Sequence, residues 1–480
     1  MSDNPDTKQI VEKLTDKSKD LSRWYTEVIL MAQLADYAPV KGCMVIRPYG
    51  YAIWESIKER LDKRLKETGH VNAYFPLLIP ESFLSKEAEH VKGFAPEVAW
   101  VTQGGNHQLE ERLAIRPTSE AIICHMYAKW IRSWRDLPVL INQWANVLRW
   151  EMVTRPFLRT TEFLWQEGHT VHATEAEAEE EALKILGLYQ DLIQNDLAMP
   201  VIIGRKSEKE RFAGALRTYT LEALMPDGKA LQAGTSHNLG QGFAKAFGIS
   251  FLDEEGKRRL PWQTSWGVST RLIGGVILSH GDDAGLIIPP NIAPTQVVIV
   301  PIWQSQTYKQ VREKVDKIYN SLKSKFRVEA DVREGYTPGW KFNEHEMRGV
   351  PIRIEIGPKD IEKAQVVMVR RDTREKKAVA EEDLQRAIEK NLTDIQENLF
   401  EKAKKFREKN TREVSDFQEF KRLIDKGGFL KAGWCGDEVC EMAVKDQTTA
   451  TIRAIPFDSK KDNCVHCGKA GKLVYFAKSY

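Results

Sequence analysis

Three prolines fall within six residues at Ile288-Pro289-Pro290-Asn291-Ile292-Ala293-Pro294, and no helix or central strand can run through them. Each lacks a backbone donor and has a fixed φ, so the stretch reads as a linker or domain edge. Before it lies a block of about 265 residues, a size that single domains reach. After it, Val297 to Ile302 reads as an apolar strand. Tyr308 to Leu322 sets Val311, Val315, Ile318 and Leu322 at helical spacing, and Val350 to Ile356 and Val366 to Val369 read as further strands. This is an alternating α/β module of roughly 100 residues. A long polar helix from about Asp383 to Arg407 then leads to a cysteine-bearing tail. The expected domains are 1–288, 289–395 and 396–480.

Composition excludes disorder, collagen and coiled-coil arrays, since 42% of the 480 residues are hydrophobic and 29% charged. Lys+Arg at 71 against Asp+Glu at 68 leaves a net charge of +3, so a polyanionic partner must be met by local patches. No apolar run approaches the roughly 18 residues of a membrane helix, and the start MSDNPDTKQI lacks a signal-peptide layout. A cytoplasmic protein with no membrane partner is expected. Six cysteines are too few for a disulfide scaffold. Cys43 and Cys124 are solitary and read as small core or helix residues, while Cys435, Cys440, Cys464 and Cys467 crowd the tail. The acidic run Glu175 to Glu181 opens an amphipathic helix and reads as its solvated face, its charge suiting the N-terminal dipole.

The stretch Leu148 to His172 is the most informative. Arg149 and Glu151 are two apart, so in a strand they share a face opposite Leu148 and Trp150. A loop with Arg155, Pro156 and Arg159 follows, and then Phe163, Trp165, Glu167 and His169 alternate onto one face. Aromatic walls ending in a carboxylate and an imidazole describe a pocket for a small molecule that is apolar on one side and cationic on the other. The same spacing also describes a hairpin whose aromatics are core and whose charges form a rim ion pair. Arg116-Pro117-Thr118-Ser119-Glu120 ends a strand and starts a helix that Thr118 or Ser119 can cap. Gly234 interrupts the polar strand Leu231 to His237 and marks a bulge that re-aims Thr235 and His237. Arg271 stands where the strand Trp266 to Thr270 meets a Gly-rich helix. Arg149, Arg159 and Arg271 thus sit at strand ends in one block, as a triphosphate site without a P-loop requires. The chain has no Walker A or Gly-x-Gly-x-x-Gly fingerprint.

Pro76 after a long helix, Arg149-Trp150-Glu151, and Arg271 before a Gly-rich helix resemble the three motifs of class II aminoacyl-tRNA synthetases. Arg116 to Glu120, Phe157-Leu158-Arg159-Thr160, Trp165 to His169 and Gly234 to Gly240 resemble the prolyl-tRNA synthetase family in its archaeal or eukaryotic-like form, over Ser22 to Tyr480. The resemblance implies an α+β fold: a six- or seven-stranded antiparallel sheet flanked by helices, an α/β anticodon-binding domain and a C-terminal zinc-binding module. It implies a homodimer built through the helix Gly50 to Thr68 and Pro76. By position, Arg149, Arg159 and Arg271 would hold the ATP phosphates, with Glu151, Thr160, Gln232 and Thr235 completing the nucleotide and magnesium environment. Thr118, Glu120, Arg149, Phe163, Trp165, Glu167, His169 and His237 would frame L-proline. The third motif departs from the general class II pattern, with Thr270 where an acidic residue precedes the arginine. The ending Ala477 to Tyr480 resembles the family's C-terminal tyrosine, which folds back toward the active site.

The implied reaction activates proline on ATP and then charges proline tRNA. A carboxylate nucleophile of pKa about 3.3 to 3.7 is ionised at neutral pH, so activation needs charge neutralisation, not a general base. Alanine would be rejected only through missing methylenes, about 1 to 3 kcal/mol each, so mischarging is expected. One helix and a continuous set of strands occupy the 101 residues between His169 and Arg271, leaving no room for an editing insertion, so a separate deacylase would act. Residues 291–380 hold 18 Lys/Arg against 12 Asp/Glu, and the resemblance makes Glu346 and Arg353 the readers of anticodon bases. An ordinary surface ion pair is the competing reading. Cys435-x4-Cys440 and Cys464-x2-Cys467 supply four thiolates, the count for closed structural zinc, with reduced buried thiols or His466 as a substitute ligand as the other readings. Two further functions fit less well: a synthetase for threonine or alanine, and a non-catalytic nucleic-acid-binding paralogue, which would have lost the arginines.

Overall fold

The computed structural model describes residues 13–90 and 98–480, so the reading of the first ten residues lies outside the described residues. The fold is α+β, built on three larger sheets. The first has seven strands: β1 (Val71–Asn72), β2 (Val139–Leu148), β3 (Glu162–His172), β4 (Val201–Arg205), β5 (Arg217–Leu224), β6 (Ala230–Gly240) and β7 (Trp262–Ser269), in the spatial order β1-β2-β3-β7-β6-β5-β4. All neighbours are antiparallel except the short edge strand β1, which pairs in parallel with β2. The fully antiparallel expectation is corrected at that edge.

Helices flank this sheet, Pro48–Glu67 and Glu175–Asp191 on the face of Trp144 and Trp266 and Glu120–Trp130 on the face of Val171. Helix α1 (Pro48–Glu67) starts with Pro at its first turn and buries Ile53, Trp54, Ile57, Leu61 and Leu65, the stripe that a 3.6-residue period presents. Helix α2 (Glu120–Trp130) follows the Arg116 segment. Helix α3 (Glu175–Asp191) opens on a capping box, Thr174 with Glu177. Its acidic run is not simply a solvated face. Glu175 and Glu179 pair with Arg217 on β5, and Glu181 is buried 3.0 Å from His70 Nε2. Helix α4 (Arg271–His280) is apolar nearly throughout and lies within the main core. Between His169 and Arg271 the chain holds α3, a π-turn at Leu192–Asp196 and a short helix at Gly242–Phe247, more helix than the sequence reading allowed.

The second sheet carries β8 (Val297–Pro301), β9 (Val328–Ala330), β10 (Ile352–Ile356), β11 (Gln365–Arg370) and β12 (Lys376–Ala380), ordered β9-β8-β10-β11-β12. The first three are mutually parallel and the last two antiparallel, so the sheet is mixed. Helices α5 (Tyr308–Leu322), α6 (Pro338–Met347) and α7 (Leu384–Lys409) accompany it. Val311, Val315, Ile318 and Leu322 are all buried, as their spacing predicts. Helix α7 runs through position 395 without a break.

The third sheet comprises β13 (Thr411–Glu413), β14 (Phe429–Trp434), β15 (Thr451–Ala454), β16 (Lys461–Asn463) and β17 (Ala470–Ala477), ordered β13-β14-β17-β15 with β16 also paired to β17. It is joined to the first sheet through main chain and charge. Arg205 and Ile455 exchange two backbone hydrogen bonds of 2.8 Å. Beside them Glu222, fully buried, accepts from Lys206 at 2.8 Å and from Arg453 at 3.0 to 3.1 Å. The buried carboxylate is paired on both sides, one positive charge is in excess, and burial with the Arg453 charge lowers the Lys206 pKa.

Candidate active site

The face of β3 that the sequence pattern picks out lines one cavity of about 320 Å³, which Thr118, Glu120, Arg149, Gln232, Thr235, His237 and Arg271 also line. Register explains the convergence. Glu167 on β3 pairs with Gly267 on β7, which pairs with Thr235 on β6, while His169 and His237 both flank Ser265. Gly267 therefore keeps the floor between two functional rows low, since a Cβ there would press on the Gln166 carbonyl. Gly168, on the other face, lies where a Cβ would run into the Trp266 ring. The β5–β6 register shifts between Leu221 and Glu222, the bulge expected next to Gly234.

Two sequence expectations are corrected. Strand β2 ends at Leu148, so Arg149, Trp150 and Glu151 lie just past it; Arg149 keeps only one backbone bond to that hairpin, to the Thr161 carbonyl at 2.8 Å. Ser119 stands at the N-cap position of α2, but neither its hydroxyl nor that of Thr118 makes a capping bond. The Ser119 hydroxyl donates to Glu167 and the Thr118 hydroxyl donates to Glu120, so both are used to orient the acids of the cavity.

Arg149 and Arg271 are tethered in the same way. Each donates Nε to a carbonyl at 3.0 Å, Pro117 for Arg149 and Leu158 for Arg271, which leaves the terminal nitrogens of both forks for a ligand. The Arg149 guanidinium lies 5.5 Å from the Phe163 ring and 5.4 Å from the Trp165 ring. Burial, and then the neighbouring Arg149 cation, pull Arg271 down to about 10, so two desolvated like charges share the cavity. Such a pair favours a polyanion. Arg159, Glu151 and Thr160 stand outside the lining: Arg159 pairs with Glu151 at 2.6 Å, and the Thr160 hydroxyl donates to the Glu162 carbonyl at 2.7 Å.

At the other end, Glu167 accepts from Ser119, from Gln143 at 2.8 Å and from His169 at 3.0 Å. Burial raises the Glu167 pKa, but these bonds outweigh it and leave it below the ordinary value. His169, lowered by burial, is raised on balance by Glu167 and Glu120. His237 is pushed down to about 3 by burial and the His169 charge, so it is neutral. Its ring, 4.7 Å from Phe212, takes hydroxyl partners from Thr218 at 2.9 Å and Thr235 at 3.3 Å. The walls are thus cationic at the end of Arg149 and Arg271 and acidic, aromatic and neutral at the other.

Sequence reasoning missed Glu210, Arg211 and Phe212, which close the cavity from the loop after β4 and carry no periodic signal, and the supporting Gln143. Tyr480 does reach back: its hydroxyl donates to Asp227 at 2.8 Å and its ring lies 5.5 Å from the Arg155 guanidinium, outside the cavity lining. Glu346 and Arg353 line a second pocket of about 250 Å³ with Arg370, Arg371, Arg374 and Lys376, an acid among cations. The four tail cysteines bring their sulfurs within 4.8 Å of one another, Cys435 and Cys467 at 3.8 Å. Tetrahedral zinc with bonds of about 2.3 Å sets sulfurs roughly 3.8 Å apart, so this donor set fits that ion. His466 is not in the group, and its ring packs edge-on against Phe417 at 5.3 Å.

Three family models match the chain: the tRNA synthetase class II core domain (G, H, P, S and T) over residues 100–280, an anticodon binding domain over 296–391, and a prolyl-tRNA synthetase C-terminal domain over 417–480. The chain is 61% identical over 477 residues to a proline–tRNA ligase of Natranaerobius thermophilus, covering 98% of this chain and 99% of that protein. Proline–tRNA ligases of Alkaliphilus oremlandii and Rubrobacter xylanophilus are 60% and 59% identical, each over 98% of this chain and 99% and 100% of their own lengths. The cavity with its paired arginines, the acid-and-cation pocket and the thiolate cluster each fall inside one of those matches, and the chain belongs to the proline–tRNA ligase family of class II aminoacyl-tRNA synthetases.

Proposed function

We propose that the protein attaches L-proline to proline tRNA in two steps: the proline carboxylate attacks the α-phosphate of ATP and expels pyrophosphate, and the prolyl group then passes to the terminal ribose hydroxyl of tRNA. One observation carries this reading: Arg149 and Arg271 share a cavity with Trp165, Glu120, Glu167 and His169. Arg149, between the aromatic wall and Arg271, bridges the carboxylate and the α-phosphate, and Arg271 steers the distal phosphates. Preorganised guanidinium groups neutralise the charge that gathers on phosphate oxygens, each worth about 3 to 4 kcal/mol. The ionised carboxylate needs no base, consistent with a neutral His237. Thr118, Glu120, Phe163, Trp165, Glu167, His169 and His237 frame proline, with the acids taking its secondary ammonium. Gln232 and Thr235 offer the phosphate end only neutral oxygens, so magnesium there would be held mostly by ATP itself. Arg159, Glu151 and Thr160 complete the nucleotide and magnesium environment from beyond this lining, Arg159 being tethered to Glu151 through Nε with its terminal nitrogens left for phosphate.

The remaining assignments follow the same reading. Glu346 and Arg353 read anticodon bases, the carboxylate accepting from guanine. The four cysteines hold structural zinc, which would crosslink the tail and fix its fold. The chain divides at 288/289 and, inside the continuous helix α7, at 395/396, and it acts in the cytoplasm as a homodimer through α1 and the segment after it, where Tyr51, Val71, Tyr74 and Leu78 are exposed. No helix among the described residues is long and apolar enough to cross a membrane. The segment between β3 and α4 completes the seven-stranded sheet, which supports the reading that the chain acts without a cis-editing domain. Proline-dependent exchange of pyrophosphate into ATP, followed by charging of proline tRNA, tests the function. Exchange stimulated by threonine or alanine and not by proline would overturn it.

A further inference from the structure

Within residues 296–391 the large apolar side chains left exposed are Ile302, Tyr336 and Trp340. All three follow the carboxyl ends of parallel strands, Ile302 after β8 and the other two after β9. Ligands of open parallel sheets bind at that edge. Tyr336 and Trp340, 47% and 45% exposed, stack with ring centres 4.2 Å apart and planes inclined by 27°. The Arg333 guanidinium lies 5.2 Å and 5.4 Å from the two rings. Arg333 is itself anchored, donating to Asp331 at 2.8 and 2.7 Å and to Glu344. Asp331 is in turn held by His345 at 2.9 Å. Neither aromatic belongs to the buried core of this sheet.

Two stacked rings, flanked at their edge by an arginine that is anchored to the buried Asp331, present open outer faces. Apolar faces of this size, ordered yet uncovered, suit a ligand that is itself flat and aromatic. We propose that Tyr336, Trp340 and Arg333 form a stacking platform for an unpaired base of the bound tRNA, separate from the pocket of Glu346 and Arg353. The proposal rests on the reading that the chain binds proline tRNA. Trp340 and Glu346 share helix α6, about 9 Å apart along its axis, but six residues also turn the helix by about 600°, so the rings and the Glu346 pocket stand on different faces and are separate sites. A base on the rings would belong to a nucleotide that passes around helix α6 from one held at Glu346. Because every base presents a π-face, the platform adds affinity without selecting sequence.

The test is binding of proline tRNA, and of its isolated anticodon stem-loop, to the full-length protein and to Trp340→Ala, Tyr336→Ala and Arg333→Gln. Folding is controlled by proline-dependent pyrophosphate exchange, a reaction that needs no tRNA. Loss of one stacked base costs about 1 to 3 kcal/mol, so Trp340→Ala should weaken binding roughly 5- to 150-fold with the salt slope unchanged. Trp340→Phe should restore most of it. A stem-loop with one unpaired base replaced by an abasic site should bind the native protein and Trp340→Ala alike, which would identify the base. If the native protein binds the RNA and Trp340→Ala binds it equally well, the platform is wrong while the functional reading stands. If the native protein binds no tRNA, the reading beneath it has failed.

Discussion

Arg371 grips Asp282 with both terminal nitrogens, Nη2 to Oδ1 at 2.6 Å and Nη1 to Oδ2 at 3.0 Å. Arg371 lines the pocket of Glu346, whereas Asp282 follows the helix that begins at Arg271. Arg374 adds a second link, 3.3 Å from Asp282 and 3.4 Å from the Glu346 carboxylate. One short helix therefore joins the two pockets. Asp282→Asn should cost about 1 to 3 kcal/mol, less than a fully buried pair because Asp282 is partly exposed. Melting temperature gives the stability, and charging of tRNA should fall several-fold more than pyrophosphate exchange. Equal loss in both would show that the link carries stability alone.

Arg149 is expected to dominate activation. Arg149→Ala removes the group that sits between the aromatic wall and Arg271, and exchange should fall by about 10² to 10³. Arg149→Lys should recover little, because a point charge cannot keep the Nε bond to Pro117 and present two further donors. Steady-state exchange with proline and ATP varied separately checks it; an Arg149→Lys enzyme near native rate would remove the bridging role.

These comparisons also mark what a sequence can carry. The alternation Phe163, Trp165, Glu167, His169 was legible because a strand repeats every two residues and four functional groups obeyed that period. The helix Tyr308–Leu322 was legible for the same kind of reason. Arg149 was misplaced by one step, onto a strand that stops at Leu148, since strand ends are set by pairing across the sheet and not by local propensity. The Thr118 and Ser119 hydroxyls looked like caps because the rule is local, whereas their partners are acids whose positions the tertiary fold decides. Glu222, Lys206 and Arg453 escaped altogether: the glutamate and Arg453 are 231 residues apart, and nothing in either neighbourhood points to the other. Phe212 lies on an irregular loop with no period to read.

Zinc in the tail makes a prediction of its own. With sulfurs already within 4.8 Å, the folded chain should bind one zinc per protomer, measurable by elemental analysis after dialysis. Cys440→Ser should abolish it and lower the melting temperature. Because Arg453 reaches Glu222 from this part of the chain, exchange should fall as well. Protein purified without metal, yet melting at the same temperature as after zinc addition, would favour plain reduced thiols.

His169 and Glu167 supply the pH dependence. Burial lowers the imidazole pKa, but the hydrogen bond from His169 to Glu167 and the charges of Glu120 and Glu167 lift it above 6.5. A group raised on folding contributes stability that is complete below its unfolded pKa and is lost as pH rises through the folded value. Glu167 behaves oppositely. Burial raises its pKa, its hydrogen bonds lower it below 4.5, and its contribution is present above that value and lost as pH falls through the folded one. The two describe one interaction, so its stabilisation is greatest in the window between the ordinary values of 4.5 and 6.5. His237, already neutral, and the uncharged Ser119 and Gln143 do not add to the slope. The melting-temperature difference between native protein and His169→Gln should therefore be largest near about pH 5.5 and shrink toward about pH 9. A difference that stayed constant across that range would mean that His169 does not titrate in the folded protein, and the charged pair at the floor of the cavity would have to be given up.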